Sequence, residues 1–163
     1  MDFQIDTADA LAVNDLELSE LLSRVYVDGD FVTPEMAISL FEPAAVRSRG
    51  KIIGAREKQS LKFVGMVIIV YPDSPARRLA QGDEAEMHLL GVKSEYRGKG
   101  LGRVLVAAAI NDAKQRGYSK MILWTQPTMH AAHRLYEISG FVRAPGRDFF
   151  RAGRDFKVYE KEF

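Results

Sequence analysis

Apolar and polar positions alternate along the chain in patterns that divide it into strands and helices. Phe3 and Ile5 alternate with polar neighbours, which predicts a short strand at the start. Leu18, Leu21, Leu22 and Val25 then recur at helical spacing and Gly29 supplies a stop, so this stretch reads as an amphipathic helix. Thr33 before Pro34 pairs a capping side chain with a proline suited to a first turn. A second short helix is therefore expected over residues 36–41, ended by Pro43, with another helical turn after it. Two β-rich runs, residues 51–55 and 61–71, flank the polar residues 56–60 as in an antiparallel hairpin. Residues 64–70 are apolar on both faces, the mark of a central strand. Residues 72–82, with Pro75 among them, read as a loop.

The second half repeats the alternation on a longer scale. A strand is expected over residues 85–92, then a helix over residues 100–116 with Leu101, Val104, Leu105 and Ala108 on one side and Gly117 as its stop. Residues 121–125 form the next strand, Pro127 separates it from a helix ending at Gly140, and residues 141–143 and 156–159 read as two closing strands. This order predicts a single α/β domain over residues 1–163, with a mixed, largely antiparallel sheet, one parallel crossover and flanking helices. Gly146-Arg147-Asp148-Phe149 recurs as Gly153-Arg154-Asp155-Phe156, too short an echo for a repeat architecture.

Composition narrows the picture by exclusion. The 163 residues, 47% apolar and 28% charged, fit one globular domain and not a disordered or fibrous chain. Twenty-three basic residues against 22 acidic ones leave no excess for a broad basic face, so no nucleic-acid partner is expected. The absence of cysteine excludes a thiolate nucleophile, Cys-ligated zinc and disulfides, and is compatible with the cytoplasm, the expected location. Acidic residues stand at the N-terminus where a signal peptide needs positive charge, and no apolar run approaches the roughly 20 residues of a membrane span. A soluble protein without a membrane partner is expected.

The strongest chemical signal is Arg97-Gly98-Lys99-Gly100-Leu101-Gly102-Arg103, between a strand and a helix. Three glycines in five positions let backbone approach a ligand closely, N–H groups at a helix start attract anions, and Arg97, Lys99 and Arg103 add positive charge. The loop fits a pyrophosphate. It is not a dinucleotide fingerprint, because the sixth position from Gly98 is Arg103, and not a Walker loop, because no Ser or Thr follows Lys99. A tight turn alone also explains the glycines. His130 and His133 lie one helical turn apart without a carboxylate or thiol to complete a metal set, so no metal is predicted.

Arg97-x-x-Gly100-x-Gly102 after a strand, followed some 35 residues later by Leu135-Tyr136-Glu137-Ile138-Ser139-Gly140-Phe141, resembles the GCN5-related N-acetyltransferase (GNAT) superfamily. The resemblance covers about residues 84–143. It implies acetyl-CoA as cosubstrate and acyl transfer to an amine by direct attack in a ternary complex. It also implies that Arg97, Gly98, Lys99, Gly100, Leu101 and Gly102, with Arg103 beside them, hold the CoA pyrophosphate. Leu90, Gly91 and Val92 would pair with the pantetheine arm, although sheet core explains them equally. Glu86, eleven residues before Arg97, corresponds to a general base, with His88 on the same strand face as the competing base. Tyr136 corresponds to the proton donor for the leaving thiolate; a ring packed between helix and sheet is its structural alternative. The sequence departs from the family at Met129, where relatives often carry Asn as a cofactor contact; Gln126, Thr128 and His130 are the candidates to replace it. Relatives are often dimers, so a homodimer is allowed. A non-catalytic CoA-binding regulatory module, or a phosphate-binding domain unrelated to CoA, is the competing class. The acceptor mouth is expected between the N-terminal helices and residues 147–154. There Phe149, Phe150, Arg147, Arg151 and Arg154 either form an aromatic, cationic lip or pack as an ordinary hairpin connection.

Overall fold

The computed structural model describes residues 2–163. At one edge β1 (Phe3–Thr7) pairs antiparallel with β2 (Lys51–Glu57), β2 with β3 (Phe63–Val70), and β3 with β4 (Glu84–Val92). β5 (Lys120–Thr125) lies parallel to β4; the later strands are β6 (Val142–Arg143), β7 (Phe149–Arg151) and β8 (Arg154–Glu162). β8 is antiparallel to β5, β6 flanks it on the outer side, and β7 folds onto it off the main path. One parallel pair in an otherwise antiparallel sheet is the predicted fold class.

The helices are α1 (Asp15–Leu22), α2 (Pro34–Leu40), α3 (Pro43–Arg49), α4 (Leu101–Gln115) and α5 (His130–Ile138). Asn14 opens α1 with a capping box: its Oδ1 accepts from the Glu17 N–H at 2.9 Å, and Glu17 Oε2 accepts from the Asn14 N–H at 3.0 Å. The helix expected through Val25 widens after Leu22 into a π turn over Ser23–Val27, where the Asp28 N–H reaches back to the Ser23 carbonyl at 3.2 Å. Pro43 begins α3 as well as following α2, and the Glu42 carboxylate caps α3 by accepting from the N–H groups of Ala44 and Ala45.

β3 is buried at every position, as its two-sided apolar run requires. On one face Val67 and Ile69 meet Leu101, Leu105 and Val106 of α4. On the other, Phe63, Met66, Ile68 and Val70 meet Leu18, Leu21, Leu22, Val25 and Val46 from the N-terminal helices. A bulge interrupts β4: Ile68 opposes His88 and Met66 opposes Gly91, so Leu89 and Leu90 together face Val67, with Leu89 at φ +48°. β4 pairs with β5 only from Glu84 to Glu86, opposite Lys120 to Ile122, and the strands part beyond that point.

The two closing strands expected near the C-terminus are three. Ala152 (φ +52°) and Gly153 (φ +76°) form a two-residue turn with both residues left-handed, which joins β7 to β8 as a tight hairpin. The tetrapeptide echo brings Phe149 opposite Phe156, with rings stacked at 5.0 Å and 19°.

Candidate active site

The glycine-rich segment leads from β4 through a 3-10 turn (Ser94–Tyr96) into α4. Gly98 (φ +73°) and Gly100 (φ +79°) are left-handed with open space where a Cβ would stand, so backbone conformation demands glycine at both. Gly100 caps α4 without any side-chain hydrogen bond, which turns the first N–H groups of a 15-residue helix toward solvent beside the exposed Arg103. The Arg97 guanidinium is anchored by Nε donating to the Val92 carbonyl at 2.9 Å. Lys99 Nζ donates to the Glu95 carbonyl at 3.0 Å and lies over the Tyr96 ring. Gly102 is different: its φ is not left-handed, and a Cβ there would stand 2.9 Å from Leu135 Cδ2, the movable end of a side chain on α5. Gly91 is closely packed as well, its Cβ position lying 3.2 Å from Val25 and 3.3 Å from Leu21.

Where β4 and β5 part, a cavity of about 370 Å³ opens toward the N-terminal helices and the β7–β8 hairpin. Leu90, at the bulge, lines it, and the Leu90 carbonyl accepts the Tyr26 hydroxyl at 2.8 Å. Gly91 and Val92 instead pair with β3, through Met66 and Gly65.

Glu86 is fully buried and does not line the cavity. Its Oε1 accepts from the backbone N–H groups of Arg78 (2.8 Å), Leu79 and Ala80 (2.6 Å), which ties the loop after β3 to β4. Its Oε2 meets His88 Nε2 at 2.7 Å. His88 does line the cavity, only 4% exposed, with its ring against Trp124 at 4.6 Å. With Oε2 as acceptor, Nε2 carries the proton and Nδ1 presents its lone pair, 3.5 Å from an Arg49 nitrogen. Burial pushes the imidazole pKa below its ordinary value, against the pull of Glu86 and with help from Arg49. A neutral, oriented imidazole is suited to accept a proton near neutrality.

Tyr136, on α5, lines the same cavity among Phe141 and Tyr159. Its hydroxyl makes no hydrogen bond to the described residues, and burial raises its pKa, so it is a protonated donor with capacity for a ligand. The predicted lip divides in two. Phe149, Arg151 and Arg154 line the cavity, whereas Arg147 turns away to Glu84 (2.8 Å) and the Leu79 carbonyl, and Phe150 is exposed. The cavity therefore lies between the N-terminal helices and this hairpin. Gln126, a candidate for a cofactor contact, has both ends engaged: Nε2 donates to the Phe31 carbonyl at 2.9 Å and Oε1 accepts from Arg154 at 3.1 Å. Arg154 also donates to the Phe31 carbonyl, so one knot joins three distant segments across the mouth. His133 Nε2 contacts the Gln126 carbonyl at 3.0 Å.

Nothing in the sequence pattern marks Tyr26, Arg49 or Trp124 as cavity residues; the π turn, α3 and the strand divergence bring them together.

Comparison with known proteins agrees with this architecture. Mycothiol acetyltransferase of Kocuria rhizophila is 35% identical over 109 residues, 64% of this chain and 32% of that protein. The chain spans less than half the length of the curated relatives it matches. Among solved structures, the PaiA N-acetyltransferase of Thermoplasma acidophilum in complex with coenzyme A superposes with a TM-score of 0.72 at 19% identity, covering 100% of both chains. A GNAT-family acetyltransferase structure from Desulfovibrio desulfuricans gives 0.75 at 20% identity, covering 99% of each. The family description that matches residues 16–141 is that of the Acetyltransferase (GNAT) family, and the chain belongs to it.

Proposed function

We propose that the chain is an acyl-CoA-dependent N-acyltransferase that moves acetyl from acetyl-CoA to an amine by direct attack in a ternary complex. The observation that carries this reading is one cavity, at the divergence of β4 and β5, lined by both an oriented neutral imidazole and an uncommitted tyrosine hydroxyl. The uncapped start of α4 with Gly98, Gly100 and Arg103 is suited to the CoA pyrophosphate, with Arg97, Lys99, Leu101 and Gly102 shaping the loop. Leu90, followed by Gly91 and Val92, offers the divergent strand edge to the pantetheine arm.

In this reading His88 Nδ1 takes the proton that the attacking amine sheds, and Glu86, which touches no substrate, is the positioning residue that holds the ring and its tautomer. The amine nitrogen bonds to the acetyl carbon, the carbon–sulfur bond breaks, and the departing thiolate takes a proton or hydrogen bond from Tyr136. The products are the N-acetyl amine and CoA-SH. A cytoplasmic location and a homodimer belong to this reading, decided by fractionation and light scattering.

Calorimetric titration with acetyl-CoA and thiol release over an amine panel test it. Binding plus turnover of at least one amine is expected; binding without turnover of any amine would leave a CoA-binding module, and no binding would overturn the reading.

A further inference from the structure

The cavity carries an unusual charge pattern. Arg49, Arg78, Arg151 and Arg154 line it, and among the described residues no Asp or Glu does. Outside the cavity several arginines find carboxylates, Arg47 with Asp15, Arg56 with Glu17, Arg143 with Asp148 and Arg147 with Glu84, while Arg77 and Arg97 rest on backbone carbonyls. None of the four cavity arginines forms such a pair. Arg49 is the deepest case, half-buried, with only two long contacts at 3.5 Å, to His88 Nδ1 and to the Leu40 carbonyl. Burial pulls its pKa below the ordinary arginine value and no carboxylate offsets this. A half-buried guanidinium without a counter-ion gains from a ligand that brings one. Around it the walls are apolar and aromatic, with Phe31, Trp124 and Phe156 facing the same space.

We infer that the acceptor is an α-amino acid with an aromatic or large apolar side chain, its carboxylate held by Arg49 and its amine presented to His88. The inference rests on the acyltransfer reading above and specifies its acceptor. Arg49 and His88 Nδ1 stand 3.5 Å apart, so one small molecule with its acid and amine groups close together can engage both. An α-amino acid has both on one carbon. A peptide N-terminus lacks the adjacent carboxylate. A polyamine or lysine side chain brings more positive charge into a cavity already holding four guanidinium groups.

The test compares L-phenylalanine with phenethylamine, which has the same ring and amine without the carboxylate, and with spermidine, by thiol release from acetyl-CoA with the wild-type chain. We expect kcat/KM for L-phenylalanine to exceed that for phenethylamine by at least 30-fold, and spermidine to be the poorest, consistent with the usual strength of a charged hydrogen-bonded pair. Arg49→Met should shrink the phenylalanine-to-phenethylamine ratio at least tenfold, a readout that a merely structural loss, lowering both substrates alike, would not move. Equal or better turnover of phenethylamine or spermidine by the wild type would overturn this inference while leaving the acyltransferase reading intact. Absence of turnover with every amine despite acetyl-CoA binding would overturn both. The wild-type comparison decides the matter even where the variant does not fold.

Discussion

Replacing Glu86 with Gln is the sharpest probe of the site, because it preserves shape while reversing one donor and acceptor relationship. In the native arrangement Oε1 accepts three backbone N–H groups and Oε2 accepts from His88 Nε2. A glutamine can keep its oxygen on the three amides, but its NH2 then faces Nε2 and forces the imidazole proton to Nδ1. Nδ1–H would point at the Arg49 donor, and the lone pair toward the cavity would be gone. General-base assistance contributes about 10²–10⁴-fold, and we expect kcat/KM to fall by about 10²-fold, since some amine is already deprotonated in solution. Exchanging an ionised for a neutral acceptor on a buried loop anchor weakens several bonds, for a stability loss of about 2 kcal/mol, or about 4–8 °C in Tm at this chain length. Steady-state kinetics at saturating acetyl-CoA against pH supply the decisive readout. Wild-type activity needs neutral His88, so kcat/KM falls as pH drops through its pKa; with no lone pair at Nδ1 the variant should lose that acid limb. A variant with wild-type kcat/KM and an unmoved acid limb would remove His88 Nδ1 from the proton transfer.

Tyr136→Phe should lower kcat by about 10²-fold with little change in acetyl-CoA affinity, measured where chemistry limits the rate; an undiminished kcat would make Tyr136 a packing residue. Gly102→Ala would set its Cβ 2.9 Å from the movable Leu135 Cδ2 while gaining helix propensity, so its net cost should stay within about 1 kcal/mol, and a double-mutant cycle with Leu135→Ala should show coupling of about 0.5 kcal/mol or more; additive effects would refute the contact. Burial lowers the pKa of both His88 and His133, so the unfolded chain takes up protons near pH ~6.5 where the folded one resists them. The stability these groups supply is complete above that pH and is lost as pH falls through it toward the folded values. The urea midpoint should therefore drop between about pH 7 and 5.5, less so in His133→Gln, and a flat midpoint would contradict the assignment.

The scaffold was legible wherever local pattern and tertiary environment agree. β3 reads as apolar on both faces and is buried throughout, and Gly117 ends α4 with φ +85°. Gly100 announced a helix start that needs a left-handed residue. What stayed hidden depends on partners without a sequence signature. Leu18, Leu21, Leu22 and Val25 space equally well for an α-helix and for one that widens into a π turn, so the reach of Tyr26 to Leu90 was invisible. The β7–β8 turn uses Ala152-Gly153 and not the Asn-Gly or Asp-Gly that signals such turns, and a strand was missed. Glu86 had the carboxylate and the strand face expected of a base, but the three amides that engage it come from a loop, and backbone donors leave no trace in residue identity. Gly102 illustrates the converse: a glycine read as room for a ligand is also room for Leu135.

The bulge in β4 has a consequence for how this strand can change. In a regular strand, inside and outside follow odd and even numbering from end to end. Here the extra residue resets that parity: Glu86 and His88 point to the side of the N-terminal helices, and so does Gly91, an odd-numbered position. One strand thereby offers the cavity a polar pair and then, on the same side, the one residue small enough for Val25 and Leu21 to lie against it. Deleting Leu89 would make the strand regular, leaving Gly91 opposite Met66 but setting Leu90 alone opposite Val67, and the bulged backbone that offers the Leu90 carbonyl to Tyr26 would be gone. Length at this point matters in its own right: one residue fewer would keep Glu86, His88 and Gly91 on their present face and still cost the strand its tie to Tyr26.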